Sequence, residues 1–281
     1  MSPTEIGRKL SLDEKTIRAR IKKMEDDGFI KYYQAMPSLA LFGLGFLSFH
    51  RFEAMNIVTK KKIIDSVQKT PNIVEAVDYI GPTVSVDIAG STPEQAEDAA
   101  NGIARRFELT KSNLGVRTAR EPGVKVDRLD WQLIQKLRFD ARTTATELAK
   151  SLGITPRMAE YRIEKLLDSG ALLIRAVINT QKQEGLVFYE MEFSVDAAAR
   201  SNVIDTLRRK YGEKLWSVNS PSPGVILANM FAFTLGEPEE AALGSLEQKG
   251  VNYCKLLILK EVIEPASPNW VDALIETRSQ A

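Results

Sequence analysis

The sequence repeats itself, and the repeat constrains the fold more than any other feature. Thr4-Glu5-Ile6-Gly7-Arg8-Lys9-Leu10 aligns with Thr146-Glu147-Leu148-Ala149-Lys150-Ser151-Leu152, an offset of 142 in a chain of 281 residues. The register continues without a gap through Arg20-Ile21 and Arg162-Ile163, Lys23 and Lys165, Asp26 and Asp168, and Gly28 and Gly170. It still holds at Gly43-Leu44-Gly45-Phe46 against Gly185-Leu186-Val187-Phe188. An ungapped match that keeps apolar positions, glycines and charges reads as a duplication, one structural unit used twice. The length agrees, being too great for one ordinary core and suited to several small domains.

Each copy opens with helices. In the second, Leu129, Leu133, Ile134 and Leu137 recur at helical spacing and predict a first helix. Thr144 with Glu147 three residues on predicts a capped second helix that Gly153 ends. Thr155-Pro156 starts a third, with Ile163, Leu166 and Leu167 as its core stripe and Gly170 as its left-handed stop. Leu172 to Ile178 follows as a strand, one arm of a wing. Three helices with a tight turn between the last two form the helix-turn-helix pattern. The first copy begins within this pattern, at Thr4, so the counterpart of Leu129–Phe139 is missing from it. Either the true start lies upstream of Met1, or another segment, with Asn269–Arg278 as the candidate, completes that head.

The remainder of each copy predicts strand, helix, two strands, helix, strand. In the first these are 44–52, 59–69, 73–80, 83–89, 93–107 and 114–119; in the second, 187–195, 197–211, 215–219, 225–234, 238–249 and 253–262. That order is the ferredoxin-like βαββαβ unit. The expected fold class is therefore α+β. A first winged helix-turn-helix over 1–38 precedes a ferredoxin-like domain over 39–122. A second pair over 125–182 and 183–265 precedes a helical tail over 266–281. An apolar sheet face needs cover. Phe46 and Phe49 of one copy would meet Phe188 and Met191 of the other, between chains as a homodimer or within one chain as a pseudo-dimer.

A net charge of +1 removes any global basic excess, so a nucleic-acid footprint must be local. It is present in the third helix of copy one. Ile17, Ile21 and Met24 share one face, while Lys15, Ala19 and Lys22, flanked by Arg18, share the opposite one. Five bases (Lys15, Arg18, Arg20, Lys22, Lys23) against Glu14 leave +4 on this stretch. A basic face opposite a core stripe suits a major-groove helix, since phosphates attract the charge and Arg reads guanine with two hydrogen bonds. The expected DNA-binding residues are Lys15, Thr16, Arg18, Ala19, Arg20, Lys22, Lys23, Arg157, Tyr161 and Arg162. The heads are expected to be unequal, because Lys15, Arg18, Ala19 and Lys22 align with Arg157, Glu160, Tyr161 and Glu164.

Other chemistry finds little support. One histidine, His50, and one cysteine, Cys254, are too few for an ordinary zinc site, and neither metal nor cofactor is expected. Gly43-Leu44-Gly45 lacks the third glycine of a dinucleotide loop. A lone cysteine fits a reducing compartment, no apolar segment opens the chain, and the run Leu39–Phe49 is too short for a bilayer. A cytoplasmic location without a membrane partner is expected.

The stretch Leu129-Asp130…Leu133-Ile134…Leu137, Asp140-Ala141-Arg142, Glu147-Leu148-Ala149 and Arg162-Ile163…Leu166…Gly170 resembles the opening of the Lrp/AsnC family of prokaryotic regulators. The resemblance implies a transcription regulator that binds double-stranded DNA and assembles through its α+β domains. It also implies an effector site near the turn after the second strand, at Gly81, Pro82 and Thr83 in copy one and Ser222 and Gly224 in copy two. The family's Gly-x-x-Asp pattern is absent there, since Gly81-Pro82-Thr83-Val84 has no acid, so weak or absent amino-acid binding is expected. An enzyme alternative comes from the sirohaem decarboxylases, which resemble this family as fused or paired copies and carry histidines at the substrate site. A third reading is an interaction module whose heads no longer read DNA.

Overall fold

A computed structural model describes the chain except Met1, Ser2, Gln68, Gln183, Glu184, Ala266, Ser267 and Ala281. The first head consists of α1 (Pro3–Leu10) and α2 (Glu14–Asp26), followed by β1 (Ile30–Pro37). Asp13 starts α2 by accepting the Thr16 backbone N–H at 2.8 Å. The first α+β half runs β2 (Phe46–Glu53), α3 (Ile57–Val67), β3 (Ile73–Tyr79), β4 (Thr83–Gly90), α4 (Pro93–Phe107) and β5 (Thr110–Thr118). The second head has α5 (Arg128–Leu137), α6 (Ala145–Leu152) and α7 (Pro156–Asp168), then β6 (Leu172–Ile178). The second half runs β7 (Val187–Val195), α8 (Arg200–Tyr211), β8 (Leu215–Ser222), β9 (Val225–Ala232), α9 (Gly236–Leu246) and β10 (Val251–Ile263), and α10 (Trp270–Gln280) follows.

The capping box expected at Thr144 is formed, and a second one is found where none was predicted. Asp127 and Asp130 form a reciprocal capping box at the start of α5, and Thr144 and Glu147 form another on α6. Leu167, expected in the core stripe of α7, is instead 38% exposed, because the stripe is closed by Leu166 and the half-buried Ile163.

The two halves do not stack face to face. Each forms a ferredoxin-like sheet, and the two join edge to edge into one eight-stranded sheet of order β5-β2-β4-β3-β10-β7-β9-β8. The joint is the antiparallel pair β3–β10, with Val262 opposite Val77 and Ile263 opposite Ala76. The sheet then curls until its outer strands touch. A Cβ on Gly115 of β5, at φ +133°, would come within 2.5 Å of the Pro221 carbonyl oxygen on β8. Arg117 also donates to Asn219 across this seam at 3.0 Å. The pairing of halves is thus intrachain.

The expected meeting of Phe46 and Phe49 with Phe188 and Met191 does not occur, although Phe49 and Phe188 each pack against other residues of the opposite half. Phe49 packs with Leu114 and Leu227, and Phe188 with Tyr79, both between the halves. Met191 faces the other way, into the second half's own helices with Phe193 and Val203. Phe46 is half-buried and joins neither cluster.

The wing also differs from expectation. β6 is not an arm of a hairpin within its own head; it pairs antiparallel with β1 of the other head, Ala35 opposite Ile174. Each head alone supplies one strand, and neither strand can satisfy its ladder without the other. The resulting ribbon fastens the two heads together.

Candidate nucleic-acid interface

On α2, Ile17 is 3% exposed and turned inward, whereas Lys15, Arg18, Ala19 and Lys22 are all exposed on the opposite side. Two of these bases already have acidic neighbours on the same helix. Arg18 pairs with Glu14 at 2.7 Å, and Lys22 with Asp26 at 3.1 Å. Glu14 also accepts from the Thr4 hydroxyl at 2.6 Å, which together with Arg18 holds its carboxyl below the usual range and ties α1 to α2. Exposed pairs of this kind contribute little to stability, so phosphate competes for Arg18 and Lys22 at small cost. Thr16 is half-buried and spends its hydroxyl on Asp13 at 2.6 Å, a capping role.

On α7, Arg157 and Tyr161 are exposed, beside the exposed acids Glu160 and Glu164. Arg162 is elsewhere. Its guanidinium turns toward the start of α5, reaching Asp127 at 2.8 Å and the fully buried Asp130 at 2.7 Å. These hydrogen bonds raise its pKa and lower that of Asp127. Arg162 is therefore a clasp within the head. Its counterpart Arg20, with Lys23, lines an open apolar groove in the first head rather than the face of Lys15, Arg18 and Lys22.

The sequence did not announce the joint that spaces the heads. Arg142, just before α6, stacks over the Tyr33 ring at 3.9 Å and pairs with Glu25 near the end of α2 at 2.5 Å. Tyr33 donates its hydroxyl to Glu25 at 2.7 Å, and burial with this bond pushes its pKa up to about 12. Below the ribbon lies a cavity of about 420 Å³, lined among others by Tyr32, Gln34, Glu75, Arg175 and Trp216. Deeper between the halves, Arg51 is buried against Glu190 and also reaches Glu192 at 3.2 Å, while the Tyr79 hydroxyl donates to Glu190 at 3.2 Å. Desolvation raises the carboxyls of Glu190, Asp87 and Glu75 despite this pairing. Such a network appears in no sequence pattern, because its members lie far apart in the chain.

The effector turns differ from expectation in their chemistry. The Gly81 carbonyl accepts from Lys60 at 2.6 Å. Thr83 is buried and donates to Glu53 at 2.9 Å, so an acid does stand beside this turn, supplied by β2 rather than by the turn itself. In the second half, Ser222 lies against Gly115 of the curled sheet, and the Gly224 carbonyl accepts from the Val195 N–H at 2.9 Å.

His50 is fully buried on the helix side of β2, its Nε2 2.8 Å from the Ser48 hydroxyl. Burial pushes its pKa down to about 4. The half-buried Cys254 thiol is pushed up to about 11. Among the described residues no group of three His, Cys, Asp or Glu is placed to hold a metal, and no helix is long and apolar enough to cross a membrane.

Two helix-turn-helix heads on a ferredoxin-like sheet define a protein of the α+β, winged helix-turn-helix class. The AsnC-type helix-turn-helix domain matches residues 126–167, and the winged helix-turn-helix DNA-binding domain matches residues 1–31. The chain is 35% identical over 60 residues to the regulatory protein AsnC of Haemophilus influenzae, which is 21% of this chain and 40% of that one. It is 29% identical over 91 residues to the proline dehydrogenase transcriptional activator of Rhizobium radiobacter, 31% of this chain and 58% of that one. The matches thus span less than two thirds of either relative. The second head is thus similar to the AsnC-type helix-turn-helix and the first to winged helix-turn-helix DNA-binding domains. Over its whole length it shares the fold of the sirohaem decarboxylase NirDL, with a TM-score of 0.58 and 14% identity across 98% of this chain and 93% of that one.

Proposed function

We propose that this chain is a sequence-specific, DNA-binding transcription regulator in which one polypeptide supplies both heads of a dimer-like reader. The observation that carries the reading is the exposed basic face of α2, Lys15-Arg18-Lys22, on a helix-turn-helix head, set opposite the buried Ile17. The β1–β6 ribbon and the Arg142–Tyr33–Glu25 contact support it, since they hold two heads at a fixed separation, as a two-half-site reader requires. Lys15, Arg18, Ala19 and Lys22 of α2, with Arg157 and Tyr161 of α7, are the proposed DNA-facing residues; Arg20, Lys23 and Arg162 serve the heads themselves. The four-part division into two heads and two ferredoxin-like domains, made by duplication, belongs to the same proposal. The test is fluorescence anisotropy on genomic fragments at several salt concentrations. Salt-dependent, fragment-selective binding is expected; binding indifferent to Arg18→Ala and Lys22→Ala would reject the reading.

The full-length likeness in fold to NirDL favours one second reading, a sirohaem decarboxylase-like enzyme. The cavity beneath the ribbon is the place such a substrate would occupy. The only histidine faces the opposite side of the sheet and is held neutral, so it offers no ligand or proton there. Anaerobic mixing with sirohaem separates the readings: spectral conversion selects the enzyme.

A further inference from the structure

The cavity beneath the ribbon is walled by the heads on one side and by the sheet on the other. Its volume of about 420 Å³ falls in the range of small-molecule sites. The ribbon supplies Tyr32 and Gln34 from β1 and Arg175 from β6; the sheet supplies Glu75 from β3, Trp216 from β8, and Glu264 just after β10. Its charges do not balance. Arg175 holds Glu264 at 2.6 Å and reaches Glu75 only at 3.7 Å. The Tyr32 hydroxyl also donates to Glu264, at 3.0 Å. Glu264 is thus satisfied twice, whereas Glu75 shares a guanidinium already committed elsewhere. With Glu261, three carboxylates line the cavity against two bases, Lys31 and Arg175. Burial raises the Glu75 carboxyl above its usual range despite Arg175, which marks a group short of counter-charge. Aromatic rings line the same space from both sides. Trp216 stands exposed on the sheet beside Phe188, ring centroids 5.4 Å apart. Tyr32 and Phe139 come from the heads and meet edge to face at 5.8 Å.

We propose that this cavity binds a small aromatic cation, one or two fused rings carrying a protonated amino or amidinium group. The cation pairs with Glu75, the carboxyl with the most unused acceptor capacity. The ring lies among Trp216, Tyr32 and Phe139, whose faces attract both the charge and the flat apolar body. An anion of the same shape meets a surplus of carboxylates and is rejected. The site is not at the turns Gly81-Pro82-Thr83 and Ser222-Pro223-Gly224, none of whose residues lines it. Because its walls belong to both the ribbon and the sheet, occupancy fixes the heads against the sheet and is linked to DNA affinity. This regulatory role rests on the DNA-reading proposal above; the binding site itself does not.

The test is isothermal titration calorimetry of the full chain at neutral pH. Tryptamine and benzamidine are the cationic probes, and indole-3-acetate is an anion with the ring of tryptamine. Saturable binding of at least one cation, and none of the anion, is expected. Glu75→Gln keeps the shape and removes the charge, and should weaken binding about tenfold or more. Trp216→Ala should weaken it about threefold or more; the position is exposed, so this variant folds even if Glu75→Gln disturbs the packing around Arg175. No saturable heat with either cation at millimolar concentration, equal affinity for indole-3-acetate, or binding indifferent to either variant overturns the proposal. The bound cation at saturation should also shift DNA affinity about fivefold or more, and an unchanged affinity overturns the regulatory role. A chain that binds the cation but no DNA supports the site while refuting the reader.

Discussion

The two heads are built on one sequence register and reach different degrees of completion. Head two buries Trp131, Leu133, Ile134 and Leu137 beneath α10 and locks its first helix to its third through Arg162. Head one leaves Leu10 43% exposed and Arg20 unclasped, with only Ile17 fully covered on α2. Yet head one carries the stronger basic face. The difference separates two properties that a helix-turn-helix pattern is read as implying together: a surface that suits DNA, and a core that holds the surface rigid. A recognition helix needs both, because phosphate contacts hold affinity only when the helix presenting them is fixed.

Both heads stand on halves that must stay joined, and the largest expected effect lies there. Arg51→Met strands Glu190, Glu192 and Asp87 in a desolvated interior, and a loss of about 3–5 kcal/mol in urea unfolding is expected. Adding Glu190→Met should recover part of it, since an apolar pair leaves less charge uncompensated. A loss under about 1 kcal/mol for the single variant would show that water reaches this interior and that the joint is not electrostatic.

Core truncation sharpens the contrast between heads directly. Leu133→Ala in head two should cost about 2–5 kcal/mol, and Leu10→Ala in head one less than about 1 kcal/mol, because a half-exposed side chain leaves no cavity. Hydrogen exchange gives the same contrast without mutation: protection over residues 4–28 should be lower than over 128–168. Equal protection would mean that head one is closed in solution.

On DNA the order reverses. Arg18→Ala with Lys22→Ala should weaken binding by about 1–3 kcal/mol, and Arg157→Ala with Tyr161→Ala by clearly less. The salt slope should fall by roughly one for each phosphate that is no longer neutralised. Equal losses would make the heads equivalent readers; a larger loss from the second pair would make the completed head the reader. The last contrast concerns the clasp and ends on the smallest expected effect. Arg162→Ala should destabilise the chain by about 1–3 kcal/mol, because Asp130 is left buried with only its capping bond. Arg20→Ala should stay within about 0.5 kcal/mol of the natural chain. A comparable cost at Arg20 would mean that it already has a partner.

Much of the molecule was legible before any coordinates. Local signals write themselves into contiguous residues, so α4, β6 and β7 fall at the residues predicted for them, and the capping box at Thr144 is formed as its spacing implies. The 142-residue repeat also agrees with the βαββαβ order that both halves share. These features rest on interactions within one turn or one hairpin, where a side chain chooses among neighbours that the sequence names.

Interactions across the chain were not written there. Whether β6 paired within its own head or with β1, whether the halves stacked or joined at β3–β10, and whether Arg162 faced DNA or Asp130 each depend on which distant backbone lies within hydrogen-bond reach. Arg162 illustrates the limit: helical spacing places it one position from Tyr161, and only the arrival of α5, with a buried aspartate seeking a counter-charge, turns it away from the exposed face. Sequence determined the elements and their repetition, because these depend on local backbone and side-chain preferences. Tertiary structure decided the joints, the clasp and the open groove, because a buried charge or an uncovered apolar face is settled only by what is brought against it.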